Sequence, residues 1–463
     1  MTNCGALEES AARALGDLGA YVNVSEHNSV PCFYTCEIST SLTGFTVSMV
    51  RRRNLAIESG CHNLDKSPIF HIGAVNFLKA IRVLVACPTL TDAQFSFSYM
   101  AYCEEYIVPP MSENLLSEVF TLLKSSPSLS CFHVTNLTAN ASLHCKHLQT
   151  LVCRNPRLET LRVSADGPNF LVLAKAIAVC LSRNTVLKSF TLHMSPYGYE
   201  LNQISLEMLL SPFTSSSPSE ANANLKELAL YFQYADGYCV DAIACSVDAI
   251  ANLMCRNTTL KKLDLRFSKL RSSLKDRKSS WREICRALEV NRSLEELSCP
   301  CEVAALRELL VPFVPNRYGR QPNTTLSTLR LFLSIKDHGG WIQAIVNDPG
   351  VVLRDLASAL QSNTSLKHVQ CIYECDGNGA YMDDVKYIND KKLCQAELQI
   401  QEILRLMIDN ELRVNTSLET LTVGHWTLRR VGTKWQTCYR GPCLREAQTK
   451  EYIVKVQSIS LFQ

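Results

Sequence analysis

The sequence predicts an α/β solenoid, a stack of helix–strand units with parallel strands on a concave face and helices on the convex one. Two observations predict it: a nine-residue motif that recurs along the chain, and an amphipathic helical stripe ahead of the copies. Composition sets the class. With 46% hydrophobic and 20% charged residues over 463 positions, the chain has ample apolar material for a core and does not read as disordered.

The motif is plainest at Asn257-Thr258-Thr259-Leu260-Lys261-Lys262-Leu263-Asp264-Leu265. It returns from Asn323, with Leu326, Leu329 and Leu331, and from Asn415, with Leu418, Leu421 and Val423. Further copies open at Asn155, Asn184, Asn222, Asn291 and Asn363, and another at Ser126; a fainter one runs through Leu90, Ala93 and Phe95. The first steps are about 29 residues, the top of the leucine-rich-repeat range, and the longer later ones need loop insertions. The last two apolar positions lie two apart, so both point to one side of a short strand. The first packs just ahead of it.

Leu116, Val119, Phe120 and Leu123 stand at i, i+3, i+4 and i+7, the stripe of an amphipathic helix. Leu206, Leu209, Leu210 and Phe213 repeat it, as do Trp281, Ile284, Cys285 and Leu288, then Leu353, Leu356, Ala357 and Leu360. Ile400, Ile403, Leu404, Met407 and Ile408 give the last. The opening Asn falls where each helix ends, and Asn tolerates the left-handed conformation common there. One helix and one strand cannot bury their apolar faces alone, but a stack can. A doubly wound α/β domain also alternates helices and strands; a signature repeated nine times favours the solenoid.

Asn-Thr-Thr-Leu-x-x-Leu-x-Leu after a helix resembles the leucine-rich repeats of the ribonuclease-inhibitor-like type, including those of NLR-type receptors. The resemblance spans roughly residues 86 to 424 and implies a horseshoe whose concave face and strand-exit loops bind proteins. One departure is clear. The Asn usual three residues after the last leucine is replaced by Asp166, Ser195, Gln233, Ser268, Ser334, Glu374 and Trp426, leaving a regular asparagine ladder and a regular curvature unsupported. The nucleotide-binding loop such receptors carry ahead of their repeats is absent from the sequence.

Three segments follow: an N-terminal cap region (1–85), the solenoid (86–424), and a C-terminal cap or basic tail (425–463). In the first, Leu7, Ala11, Ala14, Leu15 and Leu18 suggest a helix, and 32–39 with 44–50 suggest a hairpin across Ser41 to Gly44. Ser211 to Asn224 reads as a Ser/Pro-rich surface loop, Arg271 to Ser280 as a charged one, and 373–394 as the longest insertion. The tail carries seven Lys and Arg against Glu446 and Glu451 and reads first as a solvated capping segment.

No catalytic signature is found, and the chain is read as a non-enzyme without cofactor or metal. Asp376 to Ala380 begins like a calcium loop, but Tyr381 and Tyr387 stand where Gly and Glu are needed. The 21 cysteines lack zinc-ribbon spacing and read as reduced, mostly buried thiols, Cys299 and Cys371 falling on apolar motif positions. Five of the eight Asn-x-Ser/Thr sequons are the repeat signature itself. A net charge of +3 predicts neither nucleic acid nor a membrane surface as partner. The N-terminal residues lack a secretory pattern and no apolar run spans a bilayer, so a cytoplasmic protein is expected.

Residues between and after the strand leucines face the concave surface. One column holds Arg162, Thr191, Ala229, Asp264, Ser298, Arg330, Gln370 and Thr422; the next holds Ser164, His193, Tyr231, Arg266, Pro300, Phe332, Ile372 and Gly424. Arg162, His193, Tyr231, Arg266, Arg330 and Phe332 are the candidate protein-binding residues, Tyr and Arg being enriched at interface hot spots. The expected function is a non-catalytic scaffold for a protein partner. A ubiquitin-ligase substrate adaptor, or an inhibitor or GTPase activator of an enzyme, would use the same architecture; no F-box helix is evident in residues 1–85.

Overall fold

The computed structural model describes residues 32–38, 44–51, 69–72, 78–79, 81–82, 85–86, 91–96, 113–137, 141–165, 170–194, 203–214, 224–232, 240–267, 278–302, 306–314, 322–334, 349–373, 390–424 and 426–439. The helix expected around Leu7 to Leu18, the motif-opening Asn222 and the calcium-like segment from Asp376 lie outside them. The chain forms two compact units, Met1–Glu200 with Ile204–Leu225, and Lys226–Gln463 with Leu201–Gln203. Each is an α/β solenoid of leucine-rich-repeat type, a parallel sheet alternating with helices.

In the first unit, β1 (Cys32–Ile38) pairs antiparallel with β2 (Gly44–Arg51), the hairpin expected from the sequence, and with β3 (Ile69–Ile72) on its other side. Parallel pairing then runs from β2 through β4 (Asp92–Ser96), β5 (Cys131–Leu137) and β6 (Thr160–Ala165) to β7 (Ser189–Met194). Helices α1 (Glu113–Lys124), α2 (Ala141–Arg154), α3 (Phe170–Arg183) and α4 (Gln203–Thr214) alternate with the strands. Along β6, Leu161, Val163 and Ala165 are buried while Arg162 and Ser164 are not, the two-residue period of a half-covered strand. In α3, Phe170, Leu173, Ala174, Ile177 and Leu181 form the buried stripe, and Lys175 points to solvent.

The second unit carries β8 (Glu227–Phe232), β9 (Lys262–Phe267), β10 (Glu296–Glu302), β11 (Thr328–Ser334), β12 (His368–Tyr373) and β13 (Thr420–Val423), all parallel and in that order. Between them lie α5 (Val240–Arg256), α6 (Lys278–Val290), α7 (Leu306–Leu310) running into a 3-10 turn (Val311–Phe313), α8 (Pro349–Ser362), α9 (Asp390–Asp409) and α10 (Glu411–Val414). The order then reverses direction. β14 (Trp426–Val431) and β15 (Lys434–Tyr439) add antiparallel, with Gly432 at φ 63° in the turn between them. Trp426 and Trp435 are fully buried, so these two strands close the apolar end of the sheet.

The repeats are tied together through the asparagines that open the motif. Asn291 Nδ2 donates to the Met254 carbonyl at 2.7 Å, and its Oδ1 accepts the amides of Ser293 and Leu294 at 3.0 and 2.8 Å. Asn323 repeats this on Leu288 at 2.7 Å and Asn415 on Leu360 at 2.5 Å; Asn184 reaches Val152 at 2.6 Å and Asn155 reaches Leu123 at 3.4 Å. Each acceptor is a carbonyl in the last turn of the helix one repeat earlier, which lacks an intrahelical partner. One buried side chain thus caps one repeat and fixes the strand approach of the next. Ser126, in the same place in its copy, donates to Val85 O at 3.3 Å.

Asn415 does not act as a left-handed cap. It is extended, at φ −77° and ψ 116°, because its amide must reach back across the repeat rather than turn the local chain. The Asn position after the last leucine is filled by other residues, as the sequence shows, and the asparagine contacts between repeats stand at the start of the motif instead. The Ser/Thr of the sequon joins them, Ser293 Oγ donating to Asn257 O at 3.2 Å and Ser365 Oγ to Asn323 O at 3.0 Å.

Three expected loops are shorter than their sequence suggests. Helix α4 continues through Ser211 and Pro212 to Thr214, held by Phe213, which is buried. Pro212 cannot donate to the Met208 carbonyl four residues back, and Ser211 Oγ does so instead at 2.8 Å. Likewise α6 begins at Lys278 and α9 at Asp390, inside segments read as loops.

Replacing Asn291 by Ala strands two amides and one carbonyl away from water. The expected loss is about 3 kcal/mol of unfolding free energy, against under about 0.5 kcal/mol for Thr324→Ala, an exposed position of the same motif. Urea titration of the full chain checks this, and equal midpoints would contradict it.

Candidate functional site

The sheet face opposite the helices carries the candidate residues, in the two columns read from the sequence. In the second unit the register aligns Ala229 with Asp264, Asp264 with Ser298, Ser298 with Arg330 and Arg330 with Gln370. The neighbouring column aligns Tyr231 with Arg266 and Pro300 with Phe332 and Ile372. Parallel strands set about 4.8 Å apart bring long side chains of adjacent repeats into contact.

Three of the candidates meet. The Arg266 guanidinium carbon lies 4.8 Å from the centre of the Tyr231 ring and 5.0 Å from that of Phe332. Reaching Phe332 takes it across the strand that carries Pro300, which is buried. Beneath the clamp sits Asp264, its side chain 7% exposed against 48% for Arg266. Tyr231 donates its hydroxyl to Asp264 Oδ2 at 2.7 Å, and Arg266 donates through Nε and a terminal nitrogen at 3.4 Å each. A buried carboxylate needs such compensation, and a cation stacked between two rings gains about 0.5–1 kcal/mol per ring.

Asp264 was legible as a column residue but not as the anchor. The signal was present: an acid two residues before an arginine on one strand, with that arginine level with a tyrosine of the strand before it. Phe332 is on the open face by register yet only 5% exposed, because the guanidinium covers it. It offers less surface than an exposed hot-spot aromatic was expected to. Arg330 is half-buried, between Ser298 and Gln370 and outside the clamp.

The remaining candidates belong to the first unit. Arg162, exposed on β6, stands level with His133 and Thr191. His193, exposed on β7, is level with Ser164. Burial first, and then the nearby Arg162 charge, lowers the His133 pKa.

The described thiols split by environment. Cys299 and Cys371, fully enclosed in the core, are pushed up to about 12 by burial. Cys153, at the end of α2, behaves otherwise. A hydrogen bond with the Cys180 thiol, with Arg183 and Arg154 nearby, holds it down at about 7 against the effect of burial, while Cys180 is pushed well above the ordinary range. Among the described residues, no group of three His, Cys, Asp or Glu is arranged to hold a metal ion. None of their helices is long and apolar enough to cross a membrane.

No protein-family model matches the chain, and no curated protein matches it. Among solved structures, the crystal structure of a TLR13–ssRNA13 complex is similar at 12% identity, with a TM-score of 0.23. The match covers 64% of this chain and spans 37% of that one. Likeness of that depth carries neither a site nor a ligand across.

Two outcomes test this geometry. Asp264→Ala removes the acceptor of Tyr231 and the partner of Arg266, and is expected to cost about 2 kcal/mol in chemical denaturation; an unchanged midpoint would contradict the anchor. Maleimide labelling at Cys153 should rise with pH to half its plateau near 7, since the thiolate is the nucleophile, with Cys299 and Cys371 unlabelled in the folded protein. A Cys153 rate still half-developed at the ordinary thiol pKa of about 8.5 would contradict the Cys180 contact.

Proposed function

We propose that this chain is a non-catalytic, cytoplasmic scaffold with repeats of the ribonuclease-inhibitor-like type, which recognises a protein partner through the open face of its sheet. The observation that carries this reading is the clamp at Tyr231, Arg266 and Phe332. It is preorganised: Asp264 orders the arginine and the tyrosine before any partner arrives. Rigid aromatic and arginine groups that lose little freedom on binding are the usual source of interface energy. Aliphatic and aromatic neighbours, rather than a row of titratable groups, support recognition over chemistry.

In the first unit, considered by itself, Arg162 and His193 are the exposed candidates on the sheet face. Recognition by a parallel sheet face leaves the helices free to vary, which agrees with the unequal insertions between motif copies.

Affinity capture with the tagged full chain, followed by mass spectrometry, tests the reading against the Tyr231→Ala/Arg266→Ala/Phe332→Ala variant. A partner held by the wild type and lost by the variant, with unchanged circular dichroism, is expected. The same partners retained by both proteins would remove the clamp from the interface.

A further inference from the structure

The charges on the open face of the second unit are unevenly satisfied. Lys262 pairs with Glu296 at 3.5 Å, and Arg266 leans on Asp264. Arg330 differs: among the described residues it has neither an acid within salt-bridge distance nor a hydrogen-bond partner. It is nonetheless half-buried. A guanidinium that has already lost part of its hydration, and has no counter-charge, gains more than an exposed one from an arriving carboxylate, which it binds through two parallel hydrogen bonds.

The surroundings of Arg330 are apolar in one direction. Phe332 lies two residues along the same strand, with buried Pro300 level with it on one side and half-buried Ile372 on the other. Two residues of a strand span about 6.7 Å, the repeat at which an extended peptide presents successive side chains to one face.

Resting on the protein-binding reading above, we propose that this face takes an extended acidic segment of the partner. An Asp or Glu carboxylate sits on Arg330, and an apolar side chain two residues along sits against the half-buried Ile372. A protein segment fits better than a nucleic acid. A phosphate chain would call for a stripe of cations with stacking platforms, whereas Arg330 stands level with Ser298 and Gln370, and the aromatic beside it is covered.

Fluorescence polarisation with the full chain and labelled decapeptide pools tests this. One pool fixes Asp or Glu with Phe, Leu or Ile two residues on; a second replaces the acid by Asn or Gln, a third by Lys; a uridine 12-mer is the fourth probe. The acidic pool should bind at least about tenfold tighter than the amide pool, as expected for loss of a charge-assisted hydrogen bond. Arg330→Lys should keep that preference, and Arg330→Glu should transfer it to the lysine pool. Equal binding of acidic and amide pools, binding by no pool, no effect of Arg330→Glu, or tightest binding to the oligonucleotide would each overturn the proposal. If the triple clamp variant loses its captured partner while the pools show no acid preference, the protein-binding reading stands and the acidic segment falls.

Discussion

The structure depends on a buried side-chain amide used in both directions at once. Asn155, Asn184, Asn291, Asn323 and Asn415 each donate into the last turn of the preceding repeat's helix and accept an amide that leads into their own strand. Without that exchange, each helix would end in carbonyls shut away from water, at about 1–3 kcal/mol apiece. The leucines supply more free energy in sum, at about 2 kcal/mol for each buried side chain. They are not directional, however, and the asparagines set the register in which the leucines stack. A stack held by nearest-neighbour contacts is only as continuous as those contacts.

With register fixed, the face opposite the helices becomes available for recognition. Parallel strands keep residues of one column level from repeat to repeat, so a tyrosine, an arginine and a phenylalanine from different copies can share one contact. Asp264 shows how tightly this is built: an acid almost wholly buried on a sheet surface, placed under an arginine that shields it and a tyrosine that bonds it. The open face of the second unit is therefore a preordered surface on which half-buried Arg330 stands without a charge partner among the described residues.

Much of this was legible in the sequence, because periodicity is a direct trace of burial. The strand leucines, the helix stripes, the two surface columns and the β1–β2 hairpin all stand where their spacing put them. What the spacing could not show was direction. The same asparagine at a helix end can turn the chain locally or reach across to another repeat, and only the neighbouring carbonyl decides. Pro212 shows a similar limit, since a proline reads as a break until a serine beside it takes over the missing donor. Phe332 read as exposed because its column is, and only the reach of Arg266 across Pro300 covers it.

The most direct test of this account is residue-resolved amide hydrogen exchange on the folded full chain, followed at Leu260, Leu294, Leu326, Leu366 and Leu418. Their amides donate to the motif asparagines at 2.7–3.0 Å and lie outside any helix or strand. The account predicts protection like that of the adjoining strands, because each accepting asparagine is buried and, at Asn291, Asn323, Asn363 and Asn415, is itself bonded to the preceding repeat. Exchange at the rate of exposed loop amides would contradict it, and would leave the leucines alone to hold the stack.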